Sequence, residues 1–135
     1  LMYPIALEGA LKIKEISYRH AEGYAAGELK HGPIALIDPN TCAIVLSPHD
    51  ELASKSLSNL QEMKARSGWI VGIGEDKHDS FKNSCNEYLS LPEAPFSLSP
   101  MLYVIPLQLM AYGLAKKLGC DIDKPRNLAK SVTVE

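Results

Sequence analysis

Cys42-Ala43-Ile44-Val45-Leu46 and Trp69-Ile70-Val71-Gly72-Ile73 are the two stretches whose reading decides the fold. Each is a short, continuous apolar run bounded by turn residues. That is the pattern of a strand buried on both faces, as in a parallel sheet. Between them, residues 51–66 carry Leu52, Leu57, Leu60 and Met63 at helical spacing, and Ser67-Gly68 supplies a stop. Residues 75–86 read as polar loop, and residues 88–91 as a weaker third strand before Pro92. Residues 97–118 form a long apolar helix ending at Gly119, with Pro100 and Pro106 expected to break or bend its first turns. Upstream, Pro4 suits the first turn of a helix that is expected to run to about Glu22. The rhythm of strand, helix, strand, loop, strand, helix predicts an α/β fold with a mainly parallel sheet between helical layers. Three strands make a thin sheet, so an N-terminal strand is expected to be missing.

Composition narrows the function. The 135 residues are 46% hydrophobic and 22% charged, enough for a packed core. A net charge of −2 provides no basic field for nucleic acid. No apolar run approaches the length of a membrane span. Cys42, Cys85 and Cys120 are odd in number and widely spaced, so they read as reduced cytosolic thiols, neither a disulfide framework nor a zinc ribbon. No histidines and acids stand at metal-ligand spacing, and no cofactor is expected. Gly72-Ile73-Gly74 follows a strand but lacks the third glycine and the following helix of a dinucleotide loop.

Three segments could carry chemistry. On the first helix, Glu8, Lys12, Glu15 and Arg19 fall in one stripe at spacings of three and four. Spacing leaves two readings open, a solvated ion-pair face or a cleft in which a carboxylate moves protons beside a carbonyl. In Gly27-Glu28-Leu29-Lys30-His31-Gly32-Pro33, His31 is flanked by loop residues, and an imidazole there suits ring opening or acid–base work as well as simple exposure. His20, on the apolar side of the first helix, is expected to be a buried core residue, and His49 and His78 to be ordinary loop residues. The tail has no periodicity, yet Leu128, Val132 and Val134 are apolar enough to dock. Docking would bring in Lys130, and a partly desolvated lysine can form a Schiff base with a ketone. A frayed tail is the other reading.

Ala6-Leu7-Glu8-Gly9-Ala10-Leu11-Lys12-Ile13-Lys14-Glu15-Ile16-Ser17-Tyr18, His20-Ala21-Glu22 and the His31 loop together resemble the isomerase half of the glucosamine-6-phosphate synthases, the glutamine–fructose-6-phosphate aminotransferases. The ending Pro125-Arg126-Asn127-Leu128-Ala129-Lys130-Ser131-Val132-Thr133-Val134-Glu135 is similar to that family's C-terminal tail. The resemblance implies a three-layer αβα sugar isomerase (SIS) domain over residues 1–119 and an active-site tail over residues 120–135. It gives Glu15 the role of the carboxylate that moves a proton between C1 and C2, with Lys12 assisting. His31 becomes the ring-opening histidine, acting from the neighbouring subunit. Lys130 becomes the imine-forming lysine, and Ala129 a backbone contact to the sugar. The implied substrate is fructose 6-phosphate, the product glucosamine 6-phosphate, the compartment the cytoplasm and the assembly a homodimer.

Departures from the family pattern bear on activity. The glutaminase domain and the preceding SIS domain, with its Ser/Thr-rich phosphate loop, have no counterpart here; Ser54, Ser56 and Ser58 alternate along a helix instead. The isolated chain is therefore expected to be inactive or nearly so. Two other readings are a plain aldose–ketose isomerase and a non-catalytic sugar-phosphate sensor. Glu15 together with Lys130 discriminates, because a sensor has no use for an imine-forming lysine.

Overall fold

A computed structural model describes residues 1–128. Helix α1 (Met2–Ser17) is followed by two 3-10 turns (Ala26–His31 and Pro33–Leu36), β1 (Cys42–Ser47), α2 (Ala53–Lys64), β2 (Trp69–Glu75), the one-turn α3 (Asp79–Lys82), β3 (Glu87–Leu91) and α4 (Ser99–Lys117). The strands lie in the order β1-β2-β3, all parallel, with Cys42 opposite Trp69 and Val71 opposite Glu87.

Alternation along the strands sorts side chains into two cores. Val45 and Ile70 face one side, where they meet Leu60 and Met63 of α2, Phe81 of α3 and Leu29 of the first 3-10 turn. Ile44, Leu46 and Ile73 face the other, against Tyr103 and Leu107 of α4 and Met2 and Ile5 of α1. Helices thus cover both faces, giving three layers. Fully buried side chains such as Phe81, Ile70 and Tyr103 each contribute roughly 1.5–3 kcal/mol. The glycines of β2 belong to this packing. A Cβ at Gly72 would meet Cys85 and the Phe81 ring, and one at Gly74 would lie 2.8 Å from the Ser47 carbonyl oxygen.

Four expectations need correction. The first helix stops at Ser17, because Tyr18 adopts left-handed geometry (φ 58°) while its N–H bonds the Lys14 carbonyl. His20 therefore lies beyond the helix, with its side chain 82% exposed near Glu22, and is no core residue. Residues 75–86 are not all loop. They hold α3, whose Phe81 is fully buried, and His78, which is buried between Phe81 and His49 with its Nε2 unpartnered. The prolines do not break α4: Pro100 lies in the first turn, and Pro106 sits inside the continuous helix. Packing of buried Tyr103, Pro106 and Leu107 outweighs the one N–H that Pro106 cannot donate.

Candidate active site on helix α1

The charged stripe of α1 resolves into a trio and an outlier. Lys12 Nζ lies 2.7 Å from Glu15 Oε2 and 3.6 Å from Glu8 Oε1. Spacings of three and four put these groups on one face, and an adjoining face is held on α4 through Gly9, where a Cβ would come within 2.7 Å of the Leu107 side chain. Arg19 falls outside the stripe because the helix has already ended. Glu15 is the most enclosed of the three, its side chain 25% exposed. The Glu15 hydrogen bond, aided by both carboxylates, raises the Lys12 ammonium above its ordinary value. Lys12 therefore stays charged at neutral pH and serves as a proton-bearing donor to Glu15, not as a base.

The segment after α1 places His31 at the surface. Lys30 Nζ pairs with Glu62 Oε1 of α2 at 2.9 Å, and Leu29 is buried in the core, which pins the turn from two sides. Gly32 has φ 148° with open space around it, a backbone angle that disfavours any side chain. The chain thereby reverses and leaves His31 on the outside, 71% exposed, with Nδ1 2.9 Å from Glu28 Oε2. Among the described residues, no hydrogen bond or ion pair joins the His31–Glu28 pair to the Lys12–Glu15 pair. Ala129 and Lys130 lie outside the described residues.

Two residues at this end of the molecule escaped the sequence reading. After α4, Gly119 turns the chain with φ 70°. Asp121 Oδ1 then accepts hydrogen bonds from the Asp123 and Lys124 N–H groups. This path carries Arg126 back to the end of α1, where its backbone N–H donates to the Tyr18 hydroxyl at 2.8 Å and its guanidinium stacks 4.2 Å from the Tyr18 ring centroid. The sequence offers no local signal for a contact between residues so far apart. No group of three or more metal-ligating side chains occurs among the described residues, and none of their helices is long and apolar enough to cross a membrane.

Comparison with known proteins adds independent findings. The profile of the SIS domain matches residues 1–117. The chain is 56% identical over 135 residues to the glutamine–fructose-6-phosphate aminotransferase (isomerizing) of Aquifex aeolicus, covering all of this chain and 23% of that protein. The Rhizobium meliloti enzyme of the same name is 56% identical over 134 residues, which are 98% of this chain and 22% of the relative. The chain thus spans less than a quarter of the length of these curated relatives. Among solved structures, the C-terminal domain of glucosamine-fructose-6-phosphate aminotransferase from Francisella tularensis superposes with a TM-score of 0.85 at 47% identity, over 91% of this chain and 35% of that one. A putative tagatose-6-phosphate ketose/aldose isomerase from Clostridium novyi reaches 0.83 at 20% identity, over 99% of this chain and 38% of that one, a likeness of fold alone.

Proposed function

The chain belongs to the SIS-domain family, and on that premise we propose that it is the C-terminal SIS segment of a glutamine–fructose-6-phosphate aminotransferase. The carrying observation is the 56% identity that runs through the whole chain, terminal segment included. The enclosed Lys12–Glu15 pair supports it chemically. In this reading the parent enzyme makes glucosamine 6-phosphate for amino sugar biosynthesis in the cytoplasm.

The chemistry follows from the residues. His31 opens the sugar ring, reaching the site from the neighbouring subunit of a homodimer; its outward, exposed placement suits that role. The Lys130 amine adds to the C2 carbonyl of the open ketose, and water leaves to form an imine. Ammonia then displaces Lys130 at C2. The C=N group acidifies the neighbouring C1–H, so Glu15 takes that proton and returns it to C2. Lys12 holds the carboxylate by its 2.7 Å contact and lends positive charge while it works. Ala129 contributes a backbone contact to the sugar, within a tail formed by residues 120–135. The sugar phosphate and the ammonia are supplied with the help of domains that this chain does not contain. The isolated chain is therefore expected to release little or no amino sugar.

Borohydride trapping with fructose 6-phosphate, read by intact mass, tests the assignment. A one-sugar adduct that is lost in Lys130→Ala and retained in Glu15→Gln is the expected result. Loss of solvent-deuterium incorporation at C1 in Glu15→Gln, with the adduct intact, would separate proton transfer from imine formation. Sugar phosphate binding without any adduct would favour a non-catalytic sensor, and an adduct that survives Lys130→Ala would overturn the lysine assignment.

A further inference from the structure

We infer that Glu28 is a positioning residue for His31: its carboxylate holds the imidazole in the tautomer whose Nε2 is free to take a proton from the sugar. The catalytic part rests on the ring-opening reading of His31 given above, whereas the pairing itself is a contact in the structure. His31 Nδ1 lies 2.9 Å from Glu28 Oε2. An ionised carboxylate can only accept a hydrogen bond, so Nδ1 carries the proton and donates it. Nε2 is left with the lone pair.

Local geometry brings the two side chains together. Residues Ala26–His31 form a 3-10 turn, in which side chains three positions apart eclipse one another. Glu28 and His31 stand at that spacing. Lys30, on the same turn, is engaged with Glu62 of α2 at 2.9 Å, which leaves Glu28 to the imidazole. The turn is fixed from below by buried Leu29, and at its start by the bond from the Glu28 N–H to the Ala25 carbonyl. Gly32 then reverses the chain, with nothing within 4 Å of its notional Cβ. The imidazole stays largely exposed, so it can offer Nε2 to a sugar held by another subunit.

Opening a cyclic ketose phosphate needs such a group. Nε2 takes the proton of the C2 hydroxyl, and C2=O forms as the bond from C2 to the ring oxygen breaks. The ring oxygen then takes that proton back from Nε2. Between the two transfers, the charged imidazolium is held by Glu28 through the same Nδ1–H bond. In the opposite tautomer Nε2 would carry a proton from the outset and could not act as the base.

Two measurements on the same variants test this. Heteronuclear NMR of the imidazole nitrogens in alkaline buffer reads which of them bears the proton in the isolated chain. Exchange NMR of fructose 6-phosphate reads ring opening in the parent enzyme, as interconversion of the two ring anomers through the open form, and needs neither Lys130 nor ammonia. Glu28→Gln and Glu28→Ala are expected to shift the proton from Nδ1 towards Nε2. They are also expected to slow the interconversion about fivefold at saturating sugar, the span of an exposed charged contact, with the half-saturating concentration unchanged. A merely structural role would move the half-saturating concentration and the thermal transition instead. A tautomer ratio equal in the parent and Glu28→Gln chains would overturn the assignment. So would a ring-opening rate unchanged in Glu28→Gln but collapsed in His31→Ala. If His31→Ala opens the ring as fast as the parent enzyme, the ring-opening reading itself fails and takes the catalytic role of Glu28 with it, whatever the tautomer shows.

Discussion

At the scale of single residues, the glycines separate packing from flexibility. Gly74 lies where β2 passes β1 and β3, and a side chain there would press on the Ser47 carbonyl and the Tyr88 hydroxyl. The backbone oxygen cannot yield. Gly74→Ala is expected to cost roughly 1–3 kcal/mol, seen as a lower urea midpoint at unchanged slope. Gly113, inside α4, has nothing within 4 Å of its notional Cβ. Gly113→Ala is therefore expected to stabilise the isolated chain by about 0.5–1 kcal/mol in the same experiment. Gly72 and Gly74 lie inside β2, where they make room for Phe81 and Tyr88. The Lys12–Glu15 pairing was legible from spacing. The burial of Glu15 was not, since that depends on what packs over α1.

Among the elements, α1 and α4 pack on each other yet each keeps an apolar stripe outside. Met101, Ile105, Leu109 and Tyr112 are exposed on α4, as are Tyr3, Leu7 and Leu11 on α1. Surfaces of this kind favour association. The chain is expected to self-associate with rising concentration in sedimentation velocity, and the double variant Ile105→Lys/Leu109→Lys to remain monomeric. Strands and long helices were legible because their periodicity spans several residues. Helix ends were less so. The stop at Ser17 depends on the left-handed turn at Tyr18, and α3 is a single turn too short for any period to register. The resemblance between segments carried the αβα architecture further than periodicity did, because it tied α1 and the His31 turn to one known scaffold.

For the molecule as a whole, the phenols of buried Tyr103 and half-buried Tyr88 set an alkaline limit. Desolvation, followed by nearby negative charge, pushes Tyr88 up to about 12, and burial raises Tyr103 as well. Both side chains are held protonated more firmly in the folded state than in the unfolded one. Their contribution to stability is complete below about pH 10 and is lost as pH rises through about 12. Equilibrium unfolding followed across that window should show stability falling, with part of the phenolate absorbance appearing only as the fold opens. Replacing Tyr88 by Phe should flatten the fall.

The Tyr18–Arg126 contact also bears on the order in which the chain folds. Neighbouring strands join segments close in sequence, Val71 and Glu87 among them, whereas Tyr18 and Arg126 stand 108 positions apart. Closing so large a loop carries a high entropic cost until the sheet and the α1–α4 pair have brought the two ends together. The contact is then a late event, and variants that weaken it should quicken unfolding while leaving the refolding rate nearly untouched.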